Sequence, residues 1–407
     1  MTIGVGGASQ VSVLNTLRDM TAGARPIEAA EYQQRIVHLQ VAMRAAGISA
    51  MVVNAGSNLR YFTGIVWKAS ERLVVAVIPA RGPLHYVAPT FETGTMESFM
   101  QIEGALSTWE EHASPYDLLG DVLRASGASP QRGAAVAVCP SLPFFMFDSI
   151  RRANPEYQYA DAGPLIDALR MRKSMAEIDL LKRAKAMTLA VQQATASILE
   201  EGISTSDVTE FIRQAHRRVG APGSTFCIVL FGPDTAFPHG VMNPKSLESG
   251  DMVLIDTGCQ LDGYQSDITR SYVFGNPTAE QRRVWNAEKT AQMAVFEAAR
   301  LGACCGDLDA AARRSLEADG FGPGYALPGL PHRTGHGIGL DLHEAPYLVG
   351  GNEVELDTGM CVSNEPTICV PGAFGIRLED HFYMDAQGPR WFTQPSHSID
   401  DPFGLEA

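Results

Sequence analysis

Between residues 35 and 46 apolar side chains recur at helical spacing, and Gly47 is placed to stop the run. Ala50-Met-Val-Val-Asn54 follows as a short apolar stretch of strand length, and two more such stretches, at 73–78 and 84–88, flank the turn-rich Pro79-Ala-Arg-Gly-Pro83. Residues 31–130 therefore read as a compact α/β unit. The pattern loosens between about 145 and 175. A long helix is then predicted from Ser174 through residue 198, with Gly202 closing it. Beyond residue 220 strands are expected at 226–231, 251–257, 264–274, 360–364 and 374–384, and helices across 279–301 and 306–319. No internal repeat or low-complexity segment stands out. The loosened stretch sets the expected domains at 1–170 and 171–407.

Composition narrows the function classes. A chain of 407 residues is long for one core, which favours two domains. A formal charge of −14 argues against nucleic acid, because binding it depends on Lys and Arg neutralising phosphates. The longest apolar runs, such as 73–80, fall well short of the roughly 20 residues that span a bilayer, so no membrane partner is expected. The first residues have neither the basic start nor the apolar stretch of a signal peptide. Seven cysteines, an odd number without a C-x-x-C pair, read as reduced thiols, and a cytoplasmic location is expected.

The chemistry concentrates in the second half. Asp256 and Asp267 flank a tight turn at Leu261-Asp262-Gly263. Residues equidistant from a hairpin turn face each other about 4.5–5.5 Å apart, which would aim both carboxylates at one site. Taken alone, Asp256 would serve equally well as a turn cap and Asp267 as a surface residue. Against this, Asp256 follows Val253-Leu-Ile255, at the end of a strand expected to be buried, where an unpaired carboxylate is costly. Glu365 and Glu379 repeat the arrangement about Gly372. Four carboxylates supply hard oxygen donors for two divalent ions. Between these pairs, Pro331-His-Arg-Thr-Gly-His-Gly-Ile-Gly-Leu-Asp-Leu-His-Glu344 clusters three histidines among glycines, and His336 is taken as the fifth ligand. His343-Glu344 does not open a zinc helix of the H-E-x-x-H type, because Tyr347 stands at the second histidine position and Pro346 interrupts. Gly335, Gly337 and Gly339 lack dinucleotide-binding spacing.

Asp256…Asp267-Ile-Thr-Arg270, Gly335-His-Gly-Ile-Gly339, Asn364-Glu-Pro366 and Gly375-Ile-Arg-Leu-Glu-Asp380 together resemble the metallopeptidase family of Xaa-Pro dipeptidase (prolidase), aminopeptidase P and methionine aminopeptidase. All five metal positions of the family are present in order, and the resemblance spans about residues 175–395. The stretch from Gly47 to Gly64 is similar to the N-terminal domain of prolidases, aminopeptidases P and creatinases, which methionine aminopeptidases lack. The implied fold is α/β (α+β): a pita-bread catalytic domain preceded by a smaller creatinase-type α/β domain.

The resemblance implies two divalent ions (Mn, Co or Zn) on Asp256, Asp267, His336, Glu365 and Glu379. It implies hydrolysis of the Xaa-Pro bond of dipeptides or short peptides by a hydroxide held between the ions, with Glu365 as proton acceptor. His239 and His343 would meet the carbonyl oxygen, His332 would position substrate, and Arg377 matches the arginine before the final ligand. A homodimer is also implied. Two other readings use the same scaffold: a metal-dependent hydrolase of a non-peptide C–N bond, like ectoine hydrolase, and a non-catalytic binding module, whose relatives usually lose ligands.

Overall fold

Ser174 starts the longest helix for a local reason. Its Oγ accepts from the Glu177 backbone N–H at 3.2 Å, and the Glu177 carboxylate accepts from the Ser174 N–H at 2.8 Å. This reciprocal cap begins a helix that runs Met175–Ser197. A computed structural model describes residues 1–128 and 135–406 of the chain. They form two compact units, one of Ile27–Arg170 and one of Met1–Pro26 with Met171–Ala407.

The first unit is built on a six-stranded sheet. Its strands are β1 (Ile48–Asn54), β2 (Val75–Pro79), β3 (His85–Pro89), β4 (Ala105–Trp109), β5 (Ala135–Val138) and β6 (Tyr159–Asp161), in the order β4-β3-β2-β1-β5-β6. β1 runs antiparallel to β2 and parallel to β5. That central position explains its continuous apolar run, because a strand covered on both faces has no solvent side to make polar.

The expected domain of residues 1–170 needs correction at its start. Residues 1–26 pack on the second unit: the N–H groups of Thr2, Gly6 and Met20 donate to the carbonyls of Gly275, Ala196 and Val219. Val5, Val13, Leu14, Leu17 and Met20 lean on that unit's apolar core. The segment has only one seven-residue helix, Gln10–Thr16, with no buried residue, so nothing periodic marks where it docks.

The second unit repeats one arrangement twice. Helices Met175–Ser197 and Thr205–Arg218 cover a sheet of order β10-β8-β7, made of β7 (Ser224–Phe231), β8 (Met252–Leu261) and β10 (Ile268–Val273), with β9 (Tyr264–Gln265) extending the hairpin. Helices Ala279–Ala298 and Cys305–Ala318 cover a second set of strands. These are β11 (Gly335–Gly337), β12 (Glu344–Leu348), β13 (Cys361–Asn364), β16 (Asp380–Asp385) and β17 (Gly388–Trp391), ordered β12-β11-β13-β16-β17, with β14 (Thr367–Val370) and β15 (Phe374–Arg377) as a separate ribbon. Each half has its own buried apolar core. A bridge between Thr269 and Glu379 joins the halves. Among the described residues no helix is long and apolar enough to cross a membrane.

Two strands expected to be continuous are broken. The stretch 264–274 divides at Ser266 and Asp267, and 374–384 divides at Leu378 and Glu379. The first break lies beside Gly258, where an added Cβ would stand 1.9 Å from the Ser266 carbonyl oxygen, so only glycine admits the backbone there. At the second, the chain leaves the ribbon partner β14 and joins β13. Both breaks coincide with an acid of the predicted site.

Candidate metal centre

The first acidic pair is held by a hairpin whose turn is Asp262-Gly263, with φ of 47° and 79°. Two consecutive positive φ values define a two-residue turn matched to strand twist. The resulting register places Thr269, not Asp267, opposite Asp256. Asp256 and Asp267 are therefore diagonal neighbours, one pleat apart, which corrects the expectation that they face directly. The Glu pair follows the predicted symmetry. Asn364 pairs with Asp380 and Thr367 with Arg377, so Glu365 and Glu379 occupy equivalent positions in the gaps between those paired strands.

His336 enters from β11. Its backbone N–H donates to Ser363 Oγ at 2.8 Å and its Nδ1 lies 3.0 Å from the Gly337 carbonyl, leaving Nε2 toward the acids. Nε2 stands 3.1 Å from Glu365 Oε1 and 3.8 Å from Asp267 Oδ2. Thr269 Oγ1 donates to Glu379 Oε2 at 2.7 Å, and Arg377 Nη2 donates to Asp256 Oδ2 at 2.5 Å. Potential ligand atoms of Asp267, His336, Glu379 and His381 all lie within 4.8 Å of one another.

The electrostatics of this cluster call for a cation. Burial, reinforced by the charges of Glu379, Asp256 and Glu365, holds the Asp267 carboxyl well above the usual range. Burial, with Glu365 and Asp256, does the same to Glu379. Burial also raises Glu365, but His336 overrides it with help from His332 and Arg377, so that group sits below the carboxylate range. Arg377 loses stability as a cation on burial and regains more from Asp256, Glu379, Glu365 and Asp267, so it stays charged. Asp256 Oδ1, Asp267 Oδ1 and Glu379 Oε1 are buried without a hydrogen-bond partner among the described residues. Buried carboxylate oxygens left bare are costly unless a cation meets them, so the donor set fits divalent metal.

A cavity of about 720 Å³ opens onto these acids, lined by Asp256, Asp267, Glu365, Glu379 and Arg377. Phe226, Ile228, Pro331 and Leu342 form an apolar wall, and His239, His332 and His343 also line it. The three histidines differ. His343 packs against His336 with ring centroids 4.1 Å apart and planes tilted by 60°, and burial with the neighbouring His336 and Arg333 pushes it down to about 4. His332 has both nitrogens engaged, Nδ1 with the Arg333 carbonyl at 2.6 Å and Nε2 with Thr367 Oγ1 at 3.0 Å. His239 is exposed at the mouth. All nine predicted site residues thus converge on one place.

Two sequence patterns match the chain. That of the Creatinase/Prolidase N-terminal domain covers residues 35–172, and that of metallopeptidase family M24 covers residues 179–386. The chain belongs to metallopeptidase family M24. This metallopeptidase is 34% identical over 369 residues to the probable dipeptidase PepE of Mycobacterium tuberculosis, covering 90% of this chain and 95% of the relative. It is 27% identical over 366 residues to the Xaa-Pro dipeptidase of Lactobacillus delbrueckii subsp. lactis, covering 89% and 97%. The crystal structure of dipeptidase PepE from Mycobacterium ulcerans superposes with a TM-score of 0.84 at 33% identity, covering 92% of this chain and 99% of that one. The expected fold, a creatinase-type domain followed by a pita-bread domain, is the one these relatives share.

Sequence reasoning missed two residues of the metallopeptidase site. Thr269 carries the bond to Glu379, and its only local signal is its place in the strand after Asp267. His381 stands alone after a Glu-Asp pair, outside any histidine cluster. The usable signal was strand alternation, since residues two apart share a face and Glu379 was already assigned.

Proposed function

We propose that the chain is a dinuclear-metal peptidase that hydrolyses the Xaa-Pro bond of dipeptides or short peptides. The observation that carries this is the set of bare buried carboxylate oxygens facing a cavity with an apolar wall. Asp256, Asp267, His336, Glu365 and Glu379 would hold the ions, of Mn, Co or Zn. Bound there, divalent metal would supply positive charge that acidifies water and polarises a carbonyl. Glu365, whose carboxylate touches His336 Nε2 and Ser363 Oγ, takes a proton from the attacking water and delivers it to the leaving nitrogen. His343 and His239 donate toward the substrate carbonyl oxygen, where negative charge develops. His332 acts by shaping the wall, since its nitrogens are already bonded to Arg333 and Thr367. Arg377 orients Asp256 rather than the peptide.

The apolar wall favours a proline ring, and the similarity to the Xaa-Pro dipeptidase of Lactobacillus supports the same choice. Seven free thiols suit a reducing compartment, which supports a cytoplasmic location; the homodimer rests on the family resemblance alone. The test is a hydrolysis panel on chelator-stripped and Mn-, Co- or Zn-reloaded protein: Xaa-Pro dipeptides, Xaa-Pro tripeptides, dipeptides without proline, and ectoine. Reloaded protein should cleave Xaa-Pro substrates and stripped protein none. Turnover of ectoine alone, or full activity after stripping, would overturn the reading.

A further inference from the structure

His381 lies in the acid cluster but outside the five positions assigned above. Its placement follows from strand geometry. On β16, Asp380 sends its carboxylate to Arg270 Nη2 at 2.8 Å and Gln292 Nε2 at 3.1 Å. Alternation then gives Glu379 and His381 the opposite face, where the acids converge. The register agrees, because His381 pairs with Ser363, whose Oγ takes the His336 N–H and donates to Glu365 Oε1 at 3.2 Å. A ring nitrogen of His381 belongs to the group of donor atoms from Asp267, His336 and Glu379 that lie within 4.8 Å of one another. The two imidazole centroids are 6.0 Å apart.

The second observation is independent of that clustering. His381 is fully buried, and by hydrogen-bond geometry neither ring nitrogen is paired among the described residues; the Asp267 backbone carbonyl lies near enough to take one N–H, which still leaves the other nitrogen unmet. An imidazole carries a donor and an acceptor, and native interiors rarely leave either unmet. Packing alone does not account for a histidine there, since an apolar residue would fill the space without that cost. A metal ion does account for it, because the lone pair of a neutral imidazole is the protein's commonest metal donor.

We propose that His381 is a direct nitrogen ligand of the ion that Asp267, His336 and Glu379 hold, so that this position has two imidazoles where the five-residue motif supplies one. The proposal rests on the reading of the cluster as a metal centre. A second imidazole shifts the donor set away from all-oxygen coordination, toward Co²⁺ and Zn²⁺ and away from Mn²⁺. His381 would thereby set which metal this chain prefers.

The test reads metal binding, not turnover. Chelator-stripped wild type, His381→Asn and His381→Leu are titrated with Co²⁺ and Mn²⁺ by calorimetry. Asn keeps polarity and Leu keeps volume, and thermal melts of the stripped proteins check folding. Both variants should lose at least about 100-fold in Co²⁺ affinity at one site, beyond the loss typical of residues that only support a ligand. Mn²⁺ affinity should fall less. In proton NMR of the Co²⁺-loaded wild type, two exchangeable imidazole N–H resonances should be hyperfine-shifted, and one should vanish in each variant.

A single shifted imidazole resonance in the wild type overturns the proposal even if neither variant folds. So does unchanged Co²⁺ affinity in either folded variant. Wild-type protein that binds no divalent metal at all would instead sink the metal-centre reading, so the two failures are distinguishable.

Discussion

The two halves of the catalytic unit solve one problem with the same part and different registers. In each, the first helix sends a buried glutamine to the strands that carry the acids. Gln192 donates to the carbonyls of Ile255 and Ile268, the neighbours of Asp256 and Asp267, at 2.9 and 2.8 Å. Gln292 donates to the Leu378 carbonyl at 3.0 Å and the Asp380 carboxylate at 3.1 Å, on either side of Glu379. The hairpins differ. A two-residue turn at Asp262-Gly263 leaves the aspartates diagonal, while the longer turn through Pro371, Gly372 and Ala373 leaves the glutamates opposed.

The halves also brace each other. Arg377 of the second half holds Asp256 of the first, and Thr269 of the first holds Glu379 of the second. The lesson is that neither hairpin makes a site alone. Each supplies carboxylates, and the other supplies the group that aims one of them.

The strongest way to break the comparison is to remove one acid from each half. Asp256→Asn and Glu379→Gln should each lower turnover by about 10³-fold, the several kcal/mol expected of lost metal catalysis, with metal content falling in parallel. Near-wild-type turnover in either would take that acid out of the ligand set and leave the halves unequal.

A second difference is pH. The first half buries His216 between Thr188 Oγ1 and Ser224 Oγ, and burial pushes it down to about 4. Below about pH 6.5 the unfolded chain takes up a proton that the folded chain refuses, so stability present at neutral pH is lost as pH falls toward 4. The loss is on the order of 3 kcal/mol by pH 4. Denaturant titrations of metal-free protein from pH 7 to 4.5 should show a steeper decline for wild type than for His216→Gln. Parallel declines would mean His216 is not the group responsible.

Smaller effects test the shared part. Gln192→Leu removes the amide that donates to the Ile255 and Ile268 carbonyls, and Gln292→Leu the one that donates to the Leu378 carbonyl and the Asp380 carboxylate, each at about 1–3 kcal/mol of stability. Gln192→Leu should also weaken metal binding through both aspartates and Gln292→Leu mainly through Glu379. Equal stability losses without any change in metal affinity would show that the glutamines support the fold and not the acids. Smallest of all, Gly263→Ala and Gly372→Ala place a Cβ at φ of 79° and 74° and should each cost about 1–2 kcal/mol, read as a shifted unfolding midpoint.

Legibility followed the range of the forces involved. The helix start at Ser174 was readable because a capping box lies within four residues. The central strand β1 was readable because burial on both faces makes it apolar throughout. The strands at 264–274 and 374–384 read as unbroken because their apolar pattern continues across Asp267 and Glu379, while the breaks come from Gly258 and from an exchange of partners. The first 26 residues were misplaced because their docking partners, Ala196, Val219 and Gly275, lie far along the chain.

By itself, then, the sequence determined most of the elements, the two acid-bearing hairpins and the family, and it supplied the five residues proposed as ligands. Those depend on side-chain period, turn residues and residue identity, all local to the chain. Tertiary structure alone decided the strand register, the cross-bracing by Arg377 and Thr269, the approach of His381 to the acids, which alternation only hints at, and the direction in which each buried group's pKa moves. Those depend on which charges and dipoles share a buried volume, and residues distant in sequence become neighbours only when packing closes the chain around them.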